Sequence, residues 1–366
     1  MKKYLIGAIL TILLMSLVVV VSAQGLQNVE LHGYSQNRFY APQSGNARIT
    51  TDRVSLSAKG NISEDITGYM EVYFHPYISN DVQPDNTTAE QSRTYLESAY
   101  VDMPLGLGRV RVGKGRQLNF GVTPSYPNRK TSQYGIVPET FTMARIVGIQ
   151  YTQKTGLFDG GITLFEDNSL GTQSIGSYPA ADPVNMVKHF TDNDIPSDIS
   201  GELATSVRLG ITKPCFQAHV SGALGKLNKT DIATMYKAYS LATGTDDTHN
   251  KYGFDASYAR GNFVAQGEYY IGNFSFLKVT GYNLVVGYTN KKLQRMYVRY
   301  NALNNDKAPT PEKLTWDNQQ WIFAFVQPIA KGVWAELEYE KNSSSPGTGG
   351  VAPDNDLLFM ELFTGF

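Results

Sequence analysis
From Gly332 the chain reads G-V-W-A-E-L-E-Y-E-K, and its character changes at every second residue: Val333, Ala335, Leu337 and Tyr339 share one face, Trp334, Glu336, Glu338 and Glu340 the other. A helix would scatter these residues around its circumference, whereas a strand sorts them into one apolar and one charged face. The split recurs, with Arg295, Tyr297, Arg299 and Asn301 against Met296, Val298 and Tyr300, and Gln217, His219 and Ser221 against Phe216, Ala218 and Val220. The pattern predicts sixteen strands, near 27–40, 47–60, 65–76, 92–104, 108–118, 143–155, 158–167, 200–213, 215–224, 249–259, 262–272, 277–290, 292–302, 316–329, 332–341 and 354–366. An even number brings both termini of a single-chain barrel to one side.

The connections alternate as well. Short turns follow every second predicted strand, as at 105–108, 155–157, 213–214, 260–261 and 330–331, and mostly longer loops follow the others. The longest are 119–142, 168–199 and 225–248, rich in Asn, Asp, Thr, Pro and Gly. Short turns at one rim and long loops at the other mark a transmembrane barrel, while a soluble sandwich hides its apolar faces against a second sheet. The expected fold class is therefore all-β, a 16-stranded antiparallel transmembrane β-barrel.

The closing run D-L-L-F-M-E-L-F-T-G-F holds one acidic residue isolated among apolar ones and ends on an aromatic. Leu358, Met360, Leu362, Thr364 and Phe366 alternate, so a last strand ending at Phe366 would present them to lipid and close against the first strand. Closure removes an edge whose unpaired backbone groups would each cost several kcal/mol in hydrocarbon. At the other end Lys2 and Lys3 precede an apolar run from Tyr4 to Val21 and a small-x-small Val21-Ser22-Ala23. This predicts a cleaved signal peptide over 1–23 and a barrel over 24–366, the alternative being an uncleaved membrane helix. Beyond Ala23 no apolar run approaches 18 residues and mean hydropathy is −0.27, which excludes a multi-helix membrane protein.

Function classes narrow accordingly. The single cysteine, Cys215, forms no internal disulfide. The five histidines, His32, His75, His189, His219 and His249, are scattered, and neither G-x-S-x-G nor H-E-x-x-H occurs, so neither an enzyme nor a metal centre is expected. No cofactor or nucleic-acid partner is expected either.

Sixteen strands enclose an aqueous lumen, and conduction is the expectation. The candidate constriction is the 119–142 loop with its flanks, where Arg109, Arg111, Lys114, Arg116, Arg129, Lys130 and Arg145 face only one acid, Glu139. Loss of Lys2 and Lys3 with the leader leaves 30 basic against 33 acidic side chains, so this basic segment is exceptional within its own chain. Folded inward, it would concentrate anions. Strict alternation from Val110 and Val112 points Lys114 and Arg116 outward, toward lipid and lipopolysaccharide phosphates, unless a bulge at Gly113 or Gly115 turns them in; both readings stand. On the remaining wall Arg38, Arg53, Lys59, Arg208, Arg295 and Arg299 fall on polar faces, answered by Glu71, Glu268, Glu336, Glu338 and Glu340.

The runs T-T-D-R-V-S-L-S-A-K-G-N-I-S-E-D-I-T-G-Y-M-E-V-Y-F, E-S-A-Y-V-D-M-P-L-G-L-G-R-V-R-V-G-K-G-R-Q-L-N-F-G and A-R-I-V-G-I-Q-Y resemble the first third of the phosphate-selective (polyphosphate-selective) porin family, over about 47–151. The resemblance implies a homotrimeric, anion-permeable porin of the bacterial outer membrane. Phe366 is similar to the carboxyl-terminal signal that the barrel assembly machinery reads in such proteins, although Thr364 stands where an aromatic is commoner. The implied partners are outer-membrane lipid, lipopolysaccharide and small anionic or neutral solutes. The alternative function is a structural or adhesive barrel that binds through the loops 168–199 and 225–248.

Overall fold
Period-two patterning has one physical cause in a barrel: a wall one strand thick separates two media, and successive side chains face each in turn. A computed structural model of the chain describes residues 27–43, 47–75, 93–122, 130–142, 145–168, 170–174, 188–192, 199–238, 241–242, 244–307, 317–345 and 355–366. The signal peptide expected over 1–23 lies outside them.

Seven strands come first: β1 (Gln27–Pro42), β2 (Arg48–Asn61), β3 (Thr67–His75), β4 (Arg93–Leu105), β5 (Gly108–Arg116), β6 (Arg145–Thr155) and β7 (Phe158–Asn168). A separate hairpin follows, β8 (Leu170–Ser174) with β9 (Lys188–Asp192). Nine more complete the wall: β10 (Ile199–Lys213), β11 (Phe216–Lys226), β12 (Thr248–Arg260), β13 (Phe263–Phe274), β14 (Leu277–Thr289), β15 (Arg295–Lys307), β16 (Asp317–Ala330), β17 (Val333–Ser345) and β18 (Leu357–Gly365). Each wall strand pairs antiparallel with its sequence neighbours, β7 pairs with β10 past the hairpin, and β1 with β18 closes the ring. All sixteen predicted segments are wall strands. Two of the long loops contain unpredicted helices, α1 (Ile136–Phe141) within 119–142 and α2 (Lys229–Ala238) within 225–248.

Closure is completed at Phe366, whose backbone exchanges two 2.9 Å hydrogen bonds with Gly33 of β1. Its ring lies over Gly33, where any side chain would collide with it. Among the short turns, Gly106 and Gly156 take φ of +59° and +61°, a left-handed conformation open to glycine at no steric cost.

Along β16 the residues alternate strictly between exposed and buried: Trp321, Phe323 and Phe325 point out and Asn318, Gln320 and Ile322 point in. Leu358, Met360 and Leu362 of β18 and Leu337 and Tyr339 of β17 continue the apolar outer belt. A closed barrel with such a belt is built to sit in an outer membrane, its sixteen strands paired into one ring. Among the described residues no helix is long and apolar enough to cross a membrane; the strands do the crossing.

Candidate functional site
The described parts of the segment between β5 and β6, residues 117–122 and 130–142, lie inside the barrel, and their origin is a seam. β5 pairs with β4 only as far as Lys114 opposite Ala99, but with β6 as far as Arg116 opposite Arg145. Gly113, at φ +127°, sits where the strands part, and a side chain there would run into the Ala99 carbonyl. Across the seam, β4 carries one extra residue: Glu71 faces Ser98 and Val72 faces Leu96, leaving Glu97 as the bulged residue. Glu97 is 2% exposed and ion-paired to Arg145, with Arg116 3.8 Å away. Lys114 is also buried and donates to the Leu96 carbonyl at 2.7 Å. Three of the predicted constriction cations therefore brace the parted strands. Arg109 and Arg111 both pair with Asp102 near the short-turn rim.

On either side of residues 123–129, the described loop residues touch inward side chains of several wall strands. Asn119 donates to the Tyr151 carbonyl at 2.9 Å and to Thr163 at 3.0 Å. The N–H of Gly121 reaches Ser221 on β11 and that of Val122 reaches Tyr270 on β13. On the far side Arg299 of β15 donates through Nε to Thr131 Oγ1 at 2.9 Å. The N–H of Ser132 points at Glu336 (2.9 Å) and Glu338 (2.7 Å), and that of Gln133 also reaches Glu338 (3.2 Å). Ser132 Oγ donates to Glu361, the isolated acid of the last strand, which also accepts from Arg38 at 2.6 Å and Gln36 at 2.8 Å. Arg38 is completed by Asp52 at 2.9 Å. Arg129 lies outside the described residues.

A short helix and an apolar cluster hold the loop down. Six residues are too few for a helix to stand alone, so α1 depends on packing. Ile136, Val137 and Phe141 pack with Phe120, Tyr270, Phe274, Leu277 and Leu303, and α2 adds Ile232 and Met235 from the other loop. The Gln320 amide oxygen accepts from the Ile136 N–H at 3.3 Å. Gly272 and Gly281 leave room for Phe141, since a Cβ on either would sit 2.9 Å from its ring. Glu139 lies half-buried in the first turn of α1, near enough to Glu340 to repel its carboxylate.

Charge is unevenly compensated. Glu71 accepts from Ser55 at 2.7 Å and Tyr69 at 3.0 Å, Glu268 from Tyr270 and Asn283, and Glu340 from Gln320 at 3.3 Å. Arg208 pairs with Asp255 at 2.6 Å and contacts His219, which reaches Asp159 at 2.8 Å; this group lines a cavity of about 400 Å³ near the short-turn rim. Arg53, Lys59, Lys130 and Arg295 make no ion pair with a described residue. Arg53 lies over the Tyr73 ring at 4.6 Å and Arg295 over the Trp334 ring at 5.4 Å. Burial pushes the Lys130 ammonium below the ordinary lysine range, and Arg295 pushes it the same way.

Sequence reasoning missed Glu97, Asp52 and the two helices. The run W-I-F-A-F-V at 321–326, apolar on both faces, does not mark them: its inward Ala324 and Val326 pack with Tyr297 and Trp334 and not with either helix.

No protein-family model, that of the phosphate-selective porins included, and no curated protein matches this sequence. Solved structures share the fold. OprB of Pseudomonas putida is 10% identical over 92% of this chain and 94% of its own, with a TM-score of 0.64. The outer membrane channel DcaP of Acinetobacter baumannii is 13% identical over 92% and 97%, with a TM-score of 0.63. OmpT of Vibrio cholerae, in its trimer form, is 11% identical over 93% and 100%, with a TM-score of 0.57. At such identities the likeness is one of fold.

Proposed function
We propose that the chain forms a passive, water-filled channel of the bacterial outer membrane for small hydrophilic solutes, constricted by the 119–142 loop and preferring anions. The reading rests on one observation: residues 130–142, the described end of the loop, lie against the inner wall with the Ser132 and Gln133 N–H groups turned onto Glu336 and Glu338. Those donors stabilise the Glu336 and Glu338 carboxylates and Arg38 pairs with Glu361, while among the described residues Arg53, Lys59, Lys130 and Arg295 make no ion pair. Fixed positive potential in a narrow, partly desolvated passage raises the local concentration of anions, phosphate and other oxyanions included.

Homotrimeric assembly, contact with lipopolysaccharide and insertion by the barrel assembly machinery belong to the same reading. A planar bilayer containing the purified protein tests it. Stepwise conductance with a reversal potential displaced toward that of chloride in a KCl gradient is expected. A barrel that never conducts would instead be structural or adhesive, binding through its long loops.

A further inference from the structure
A row of aromatic rings crosses the inner wall, and charge selection does not require it. Tyr95 of β4 meets Tyr73 of β3 at 5.6 Å between centroids, and Tyr73 meets Tyr34 of β1 at 6.2 Å. Tyr34 stacks on Phe363 of β18 at 5.4 Å, and Phe363 on Trp334 of β17 at 3.7 Å with planes 16° apart. All lie on the lumen register: Tyr73 opposes Ser55, and Trp334 opposes Phe363 in the same face as Glu361. Tyr34, Tyr73 and Phe363 are packed away and form a foundation; Tyr95 and Trp334 stay half-exposed at its two ends.

Each end carries a guanidinium. Arg53 lies over Tyr73 at 4.6 Å and close to Tyr95, and Arg295 lies over Trp334 at 5.4 Å. Resting on a ring fixes the plane of the fork without consuming its N–H groups. Neither arginine makes an ion pair with a described carboxylate; the buried Nε of Arg53 has no acceptor among the described residues, and Arg295 also hydrogen-bonds the Tyr297 side chain. A pre-oriented fork with N–H groups to spare matches the two oxygens of a carboxylate, and the adjoining ring offers a flat apolar face. An inorganic anion would use only the fork.

Resting on the channel reading above, we infer that Arg53 with Tyr95 and Arg295 with Trp334 are two binding subsites for small aromatic carboxylates passing through the lumen. The carboxylate takes the guanidinium edge and the ring lies against Tyr95 or Trp334.

The test compares benzoate with acetate, which has the same carboxylate and no ring, on the full chain in planar bilayers. Benzoate is expected to saturate or block the chloride current at concentrations about tenfold below acetate, the worth of one ring contact, since both make the same fork contact. Arg53→Gln and Arg295→Gln should each lower the benzoate-to-acetate ratio several-fold. Arg53→Lys and Arg295→Lys, which keep the charge and lose the fork, should restore only part of it. Trp334→Leu should lower the ratio and Trp334→Phe retain it. Equal action of benzoate and acetate, or a ratio unmoved by both glutamine variants, overturns the inference while KCl conductance leaves the channel reading standing. Absence of any KCl conductance overturns both.

Discussion
Ser132 donates its backbone N–H to Glu338 at 2.7 Å, joining two residues more than 200 positions apart across the inside of the barrel. Glu338 is fully buried on a strand where Glu336 and Glu340 share its face, so three carboxylates lie in one row. The donors on the loop are what make that row tolerable, and the row in turn holds the loop across the opening. Removing the donor at Ser132 leaves buried carboxylates under-bonded, at about 1–3 kcal/mol.

Ser132→Pro should therefore free the loop from the wall. Single-channel conductance is expected to rise, and larger neutral sugars to pass in liposome swelling. Glu338→Leu should loosen the same contact from the other side. A conductance and size limit equal to those of the parent protein would show that the contact does not hold the constriction.

Glu97 serves two arginines in the seam between β4 and β5. Glu97→Leu strands Arg145 and Arg116 away from water, and breaking a buried pair on one side costs about 3–5 kcal/mol. A lower urea midpoint in detergent is expected, with faster loss of the folded band on unheated gels. The double variant Glu97→Leu, Arg145→Leu should recover much of the loss, because an apolar pair of similar bulk removes the unpaired charge.

Lys130 carries the pH dependence. Its ammonium is held below the ordinary lysine range by burial and by Arg295, so it loses its proton earlier than a solvated lysine as pH rises. Anion preference should decline through that lowered range and be retained below it. Lys130→Arg, which stays protonated, should remove the decline in reversal potentials measured from neutral to alkaline pH.

Gly33 and Phe366 make the closing contact. Gly33→Val would push the Phe366 ring off the first strand and Phe366→Ala would leave the joint uncovered. Both should reduce the yield of folded barrel recovered from outer membranes, and Gly33→Val should also slow refolding into detergent. Unchanged yields for both variants would separate the contact from assembly.

The wall was legible in the sequence because lipid outside and water inside impose period two wherever both media are present, as on β17. Where that condition fails, the pattern fails with it. Leu277, Val279 and Leu303 point inward yet are apolar, since α1 and α2 cover them instead of water; α1 is only six residues long, and in α2 only Ile232, Met235 and Tyr236 stand at helical spacing. Glu97 escaped because a bulge adds one residue to β4, so alternation assigns its neighbours to the wrong faces. The basic excess around the loop was visible as composition, but composition carries no pairing. Arg116 and Arg145 are matched with Glu97, whereas Arg53 and Arg295, less conspicuous in the sequence, have no ion-pair partner among the described residues.

Phe141 fits a hollow made by two missing side chains, at Gly272 and Gly281. A barrel trimmed of residues 119–142 would not simply be a wider version of the same conduit. It would bare a dent ringed by Tyr270, Phe274 and Leu277, and oily molecules would lodge there as they pass.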